Sequence, residues 1–393
     1  MQHSLNRRSL LLGSAAFTVA TPALLRAQPA PIKLGLVAAL SGQSAKSGEG
    51  ITRGLTIAID EVNGAGGLLG GRRLELVRRD DESNPGKGQI AARELLDREG
   101  CSVLFGGIDS PVSVALVPIM NQAKVPFMGV WAAATNITRN GADPNFCFRV
   151  SAVDVLVDKA LVQYAMRKHG TKSAGLMLVN NGWGESNRLG MTAAAEAAGL
   201  KIAGIEKFED GDVDMTPQLS RLRAAGADTV FLVGNAAPGA QVVRGMQRIG
   251  WTAKIISHWG ISGGRFPELA GSAARNVEFI QTYSFFGNLN ATGQRVLAAL
   301  KAKYPDIKGP GDVSPPVGVA NAYDALHLTA LAIAKAGSTE GPKIQQGFYG
   351  VENYAGLIKT YAKPFTPANH DALTENDYVM VHYVGEQIEP VTG

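Results

Sequence analysis

Residues 103–138 read VLFGGIDSPVSVALVPIMNQAKVPFMGVWAAATNIT. An apolar strand ends in Gly106-Gly107 and hands over to Ser110 at a helix start. After that helix a second apolar strand ends in Ala132-Ala133-Ala134-Thr135. As neighbours in a parallel sheet, the two strands deliver a small hydroxyl residue each, with free backbone N–H groups, to one sheet edge. Open α/β sheets bind ligands at that edge, outside the carboxyl ends of their strands. N–H groups at a helix start form an anion site that suits a carboxylate. The pattern predicts capture of a small organic acid, and nothing in it is equipped to break a bond.

The same alternation runs outward in both directions. Upstream, a strand over 32–40 precedes a helix with Ile51, Leu55, Ile59 and Val62 on one face, closed by the glycine-rich stop 63–67. A strand from 74 to 77 and a helix over 89–98 lead into the quoted stretch. Downstream of residue 150, helices over 156–168, 186–198, 217–225 and 240–249 alternate with strands over 174–179, 202–208, 229–233 and 255–257. Strands alternating with helices at this spacing mean parallel sheets covered on both faces. The expected fold is α/β, with two doubly wound parallel-sheet lobes joined by a hinge of three segments. Lobe 1 takes residues 31–149 and 284–371; lobe 2 takes 150–283 and 372–393. A strand over 277–286 crosses back, helices over 293–303 and 318–336 complete the first lobe, and a hairpin of 378–383 with 388–391 returns to the second. The cleft between such lobes is the natural ligand site.

The N-terminus sets the compartment. Arg7 and Arg8 precede an apolar run to residue 25, and Arg26-Ala27-Gln28 offers a small-residue cleavage site. Residues 1–27 therefore read as a secretory leader, and the arginine pair resembles a twin-arginine export signal. No cysteine lies near the cleavage point to carry a lipid. An exported chain of this kind is expected in the periplasm of a Gram-negative cell. No later segment approaches twenty unbroken apolar residues, so no direct membrane insertion is expected.

The formal charge of +4 includes three leader arginines, which leaves the remainder near +1 with no basic stripe. Nucleic-acid binding has no electrostatic footing. Cys101 and Cys147 are the only cysteines; an oxidising compartment permits them to pair, and two buried free thiols are the other reading. A monomer is expected.

Catalytic and metal-binding constellations are weak. The six histidines are not at metal-ligand spacing with one another or with a cysteine. His258, in I-S-H-W-G after a strand, reads first as a satisfied structural histidine, and His370-Asp371 as a loop pair or hinge contact. The glycines of 64–71 follow no strand and lack the Lys-Ser/Thr of a phosphate loop, so they read as a turn. No G-x-S-x-G elbow is present. No enzyme activity, cofactor or metal is expected. The stronger set is Ser41, Ser47, Ser110, Thr135, Trp183, Asn235 and Trp259, each in a loop just past a strand. Taken singly, Ser110 also fits a helix N-cap and Trp183 the roof of a core.

These residues resemble the leucine/isoleucine/valine-binding family of periplasmic solute-binding proteins, of the type I periplasmic binding fold. The resemblance rests on L-S-G-Q-S-A-K-S-G, N-G-A-G-G-L-L-G-G-R-R-L-E-L-V-R-R-D-D, G-G-I-D-S, A-A-A-T-N and N-N-G-W-G-E-S-N. It implies a two-lobed receptor that closes on a small molecule and presents it to the membrane permease of an ABC importer. It makes Ser110 the donor to a ligand carboxylate, with Ala133 giving backbone contact and Thr135 holding the carboxylate and any α-substituent. Trp183 stands where many members close an aromatic over the ligand. The departures point to ligand class. Amino-acid binders carry a carboxylate where this chain has Trp259, a tyrosine where it has Asn235, and an aromatic where it has Ser47; Asp109 is a candidate substitute charge. An ammonium buried without its counter-charge costs several kcal/mol. The expected ligand is thus a carboxylate without an α-amino group, aromatic or planar, stacking on two indoles. An amino-acid receptor and a sensory receptor of the same fold are the alternatives.

Overall fold

Residues 29–392 are described in a computed structural model; the leader lies outside the described residues. Five short strands form the first sheet: β1 (Ile32–Ala38), β2 (Leu74–Asp80), β3 (Val103–Gly106), β4 (Phe127–Gly129) and β5 (Cys147–Arg149). Their order is β2-β1-β3-β4-β5, all parallel. The helices α1 (Ala45–Gly64), α2 (Pro85–Asp97) and α3 (Ser110–Ala123) connect them. The central strands β1 and β3 are nearly continuous apolar runs because both faces are covered, as parallel strands require.

The second sheet takes the chain from residue 150. Helix α4 (Asp154–His169) leads into β6 (Ser173–Val179), α5 (Gly182–Ala198), β7 (Lys201–Phe208), α6 (Thr216–Ala224), β8 (Thr229–Val233), α7 (Ala236–Arg248), β9 (Lys254–Ser257), the short α8 (Phe266–Ala270) and β10 (Val277–Gln281). The sheet runs parallel through β7-β6-β8-β9-β10 and is extended by two antiparallel strands near the C-terminus, β13 (Val379–Val384) and β14 (Gln387–Pro390). Between β10 and β13 lie α9 (Ala291–Lys303), α10 (Pro316–Ala336), α11 (Gly341–Tyr349) and a two-strand ribbon, β11 (Tyr354–Ala355) with β12 (Thr360–Tyr361).

Helix α10 is long and apolar enough to cross a membrane by composition alone, but most of it is buried inside the molecule. It lies against α1, and a Cβ on Gly54 would stand 2.3 Å from the Val319 carbonyl oxygen. Glycine is what permits that approach.

The strand expected over 277–286 ends at Gln281, where the chain leaves the sheet and Thr282 Oγ1 donates to Asn321 Oδ1 on α10. Strand β5 and helix α11 were not anticipated. The first is three residues long and ends in a buried arginine. The second begins Gly341-Pro342 and carries Gly347, residues of low helix propensity. Gly347 is needed there because a Cβ would stand 2.2 Å from the Ala332 carbonyl oxygen on α10.

Cys101 and Cys147 are free and buried. Cys147 pairs with Phe127, and Phe127 pairs with Leu104 just after Cys101, so the two cysteines lie two strands apart. At about 4.8 Å per strand spacing they exceed the ~7 Å Cα separation that a disulfide spans.

Candidate ligand-binding site

The quoted stretch folds as read, with one change at the helix start. Asp109 is the N-cap of α3 and Ser110 is its first helical residue, so Ser110 is not a cap. Its side chain turns instead to the loop after β4: Ser110 Oγ accepts from Ala133 N at 3.2 Å and Ala134 N at 3.1 Å. With its acceptor positions used, the hydroxyl keeps its proton to donate. Thr135 follows. Its N–H donates to Ser186 Oγ of α5 at 3.3 Å, and its Oγ1 accepts from Val155 N at 3.3 Å. These bonds are long, and a carboxylate oxygen competes well for such donors.

A buried ion pair fixes this loop. Arg149, fully enclosed, donates from Nη1 to the Ala134 carbonyl at 2.9 Å and from Nε and Nη2 to Asp371 Oδ1 at 2.9 and 2.8 Å. Thr138 Oγ1 adds a bond to the same oxygen at 2.6 Å. Burial acts to raise the Asp371 pKa, but the Arg149 charge and these hydrogen bonds hold it below the usual carboxylate range. Residue 149 also bridges 371 through backbone bonds: Arg149 N donates to His370 O, and Ala372 N to Arg149 O, both at 2.9 Å. His370-Asp371 is thus a contact where the chain crosses between sheets, and it anchors the cradle loop.

The second sheet contributes the aromatic side of the site. Trp183 opens α5, capped by Asn181 Oδ1, and is 7% exposed; Trp259 follows β9 and is 1% exposed. His258 lies between them, edge-on to each ring. Its Nδ1 accepts from Trp259 N at 2.8 Å, which leaves the ring proton on Nε2 to donate to Asp154 Oδ1 at 3.1 Å. Trp183 Nε1 donates to the same oxygen at 3.2 Å. Trp131, from the first sheet, meets Trp259 with ring centroids 6.0 Å apart.

Asp154 is the residue that reading the sequence missed. No acid stands at the position of Trp259, yet the fully buried Asp154 carboxylate bonds Trp183 and His258, and the Asp154 backbone N–H donates to the Ala133 carbonyl at 2.8 Å. The polar cluster has more acceptors than donors. Asp154 Oδ2, Asn187 Oδ1 and both oxygens of Asp158 are buried without a hydrogen-bond partner, as is the donor Trp131 Nε1.

The remaining candidates lie where the two halves touch. Asn235 Nδ2 donates to Asp109 Oδ1 at 3.0 Å, joining the β8 end to the β3 end. Burial raises the Asp109 pKa, opposed by bonds from Ser83 and Asn235, and Asp109 Oδ2 has no partner. Neighbouring Asp81 is pushed up to about 7, chiefly by burial and then by the charges of Asp109 and Asp80. Asp109 is therefore engaged across the contact rather than standing free as a counter-charge. Ser47 is buried, but its hydroxyl donates to the Ser44 carbonyl at 2.6 Å. It packs at the contact: a Cβ on Gly263 would stand 2.2 Å from Ile108 Cδ1 and 3.4 Å from Ser47 Cβ. Among the described residues no group of three or more His, Cys, Asp or Glu side chains is placed to hold a metal ion.

The carboxyl edge of one parallel sheet thus brings N–H and O–H groups against aromatic rings from the same edge of the other. Residues 31–385 match the family model described as periplasmic binding protein, and the chain belongs to that family, in its leucine/isoleucine/valine-binding branch. A Leu/Ile/Val-binding protein homologue of Brucella melitensis is 25% identical over 330 residues, 84% of this chain and 86% of the relative. The crystal structure of a type 1 periplasmic binding protein from Bordetella pertussis superposes with a TM-score of 0.83 at 23% identity, covering 92% of this chain and all of that one. An ABC-transporter solute-binding protein from R. palustris, solved in complex with 4-hydroxybenzoate, gives a TM-score of 0.77 at 20% identity over 92% of this chain and 96% of its own. The chain is a ligand-binding protein of the periplasmic binding protein kind.

Proposed function

We propose that the chain is the exported, periplasmic receptor of an ABC importer, working as a monomer that captures a small organic carboxylate between its halves. Residues 31–149 with 284–371 form one lobe and 150–283 with 372–393 the other. The ligand carboxylate sits against Ser110, Ala133 and Thr135, with its body between Trp131, Trp183 and Trp259, which suits an aromatic or planar acid. The observation that carries this reading is the Ser110 hydroxyl, held by two backbone N–H groups so that its proton is free for an anion. The positive end of α3 adds to the attraction. Capture is a shift from open to closed states, driven only by the better contacts of the closed one. The permease then receives the closed form, and export runs by the twin-arginine route.

One observation favours a second reading, an amino acid. Asp154 bonds the Ala133 carbonyl of the cradle through its backbone N–H, and its Oδ2 is unpartnered, an acceptor of the kind an α-ammonium needs. The R. palustris protein binds an aromatic acid and the Brucella relative carries the name of an amino-acid binder, so both classes are plausible chemistry for this fold. Titration calorimetry against 4-hydroxybenzoate, its methyl ester and L-leucine separates them. The first reading expects the acid to bind and the ester to fail; binding of L-leucine alone would replace it with the second.

A further inference from the structure

Helix α4 carries two acids one turn apart, Asp154 and Asp158, both wholly buried. Side chains at this spacing lie on one helix face, with Cβ atoms about 5–6 Å apart. Asp158 has no hydrogen-bond partner on either oxygen, and Asp154 has none on Oδ2. Opposite them α5 offers Gly190, where a Cβ would stand 2.0 Å from Asp158 Oδ2, and Asn187, whose amide N–H goes to the Trp183 carbonyl and whose Oδ1 is also unpartnered. From the end of β9 His258 gives its one proton to Asp154 Oδ1. Lys159, the next residue on α4, is turned outward to Glu375. No cation faces Asp158 from these elements. Burial first, then the charge of Asp154, drive the Asp158 acid far above its ordinary range.

We propose that Asp158 stands as a neutral acid that donates its proton to Asp154 Oδ2, making it a positioning residue for the ligand site. With that bond formed, Asp154 is saturated: two N–H donors on Oδ1 and one O–H donor on Oδ2. Its task is then to orient the Trp183 and His258 rings, and it has no acceptor left for a ligand ammonium. The inference deepens the reading above, on which its specificity part rests, and it selects the carboxylate without an α-amino group over the amino acid.

Infrared difference spectroscopy tests the proton without any ligand. The carbonyl stretch of a protonated carboxylic acid should be present at pH 7 and lose one component in Asp158→Asn. An unchanged acid band would overturn the proposal. Calorimetry tests the consequence. Asp158→Asn keeps an N–H donor for Asp154 and should preserve the ratio of 4-hydroxybenzoate to L-leucine affinity. Asp158→Leu frees Oδ2 and should shift that ratio about tenfold or more toward L-leucine, the scale of one charge-assisted hydrogen bond. An equal ratio in wild type and Asp158→Leu would refute the specificity role. Failure of both probes to bind wild type would count against the function proposed above, while the infrared result still decides where the proton is.

Discussion

Ser110→Ala removes one oxygen atom that the structure uses twice, and its effect can be worked out for each use. In the ligand-free protein, Ser110 Oγ is the acceptor for the buried N–H groups of Ala133 and Ala134. Leaving buried donors unsatisfied costs about 1–3 kcal/mol. Relaxation of the loop is limited, because Arg149 holds the Ala134 carbonyl and Asp154 N holds the Ala133 carbonyl. In the liganded protein the hydroxyl donor to the carboxylate is lost, worth about 1.5–3 kcal/mol for a bond to a charged group. The two released N–H groups recover part of that by turning to the carboxylate. A net loss of about 1–2 kcal/mol remains, a rise in Kd of roughly 5- to 30-fold. Scanning calorimetry of the ligand-free variant should show Tm lowered by about 2–4 °C per kcal/mol lost. Titration calorimetry with the better bound of 4-hydroxybenzoate and L-leucine should show the rise in Kd. A lowered Tm with unchanged Kd would make Ser110 a loop anchor only and refute the cradle.

Three further outcomes follow from the same structure. Asp371→Asn leaves Arg149 buried without its counter-charge and should cost about 3–5 kcal/mol in urea unfolding at pH 7. Because the folded-state pKa of Asp371 is depressed, that difference is full above the unfolded value of about 3.9 and should shrink as pH falls through the lower folded value; a pH-independent difference would contradict the ion-pair account. Gly54→Ala pushes a methyl group onto the Val319 carbonyl between α1 and α10, and should destabilise by about 1–3 kcal/mol by overpacking, seen as a lowered urea midpoint. Cys101 and Cys147 have thiols pushed up to about 11 and about 12, in each case chiefly by burial, so native protein at pH 8 should react slowly with an aromatic disulfide reagent and its Tm should not change with reductant.

The two-sheet fold was readable because its signal is local and repeated. Each βα unit carries an apolar strand, a small-residue turn and a helix with a 3.6-residue stripe, and the strand and helix placements over 103–138 and 174–257 needed no tertiary knowledge to within a few residues. The loops that bring Ser110 and Thr135 together were readable for the same reason, since each comes after a strand. What escaped were features made by distant chain segments. Strand β5 exists because Arg149 finds Asp371, more than two hundred residues away. Asp154 stood outside the helix expected over 156–168, and its bonds depend on Trp183 and His258 arriving from two other chain segments. Trp131 sat inside the quoted stretch yet carried no pattern to mark it. Ser47 lies inside α1 rather than in a loop and Asp109 caps α3, and side-chain direction is not written in spacing: one hydroxyl turns back to Ser44 and one carboxylate reaches across to Asn235.

The central claim is that a carboxylate docks on the β3 and β4 ends while indoles from the second sheet enclose the rest. A crystal structure of the chain with the acid that co-purifies, or with soaked 4-hydroxybenzoate confirmed by titration, tests it most directly. The account predicts carboxylate oxygens within hydrogen-bond distance of Ser110 Oγ and Thr135, with the ligand body in contact with Trp183 or Trp259. A ligand bound with its carboxylate away from Ser110, or held through an ammonium on Asp154, would contradict it.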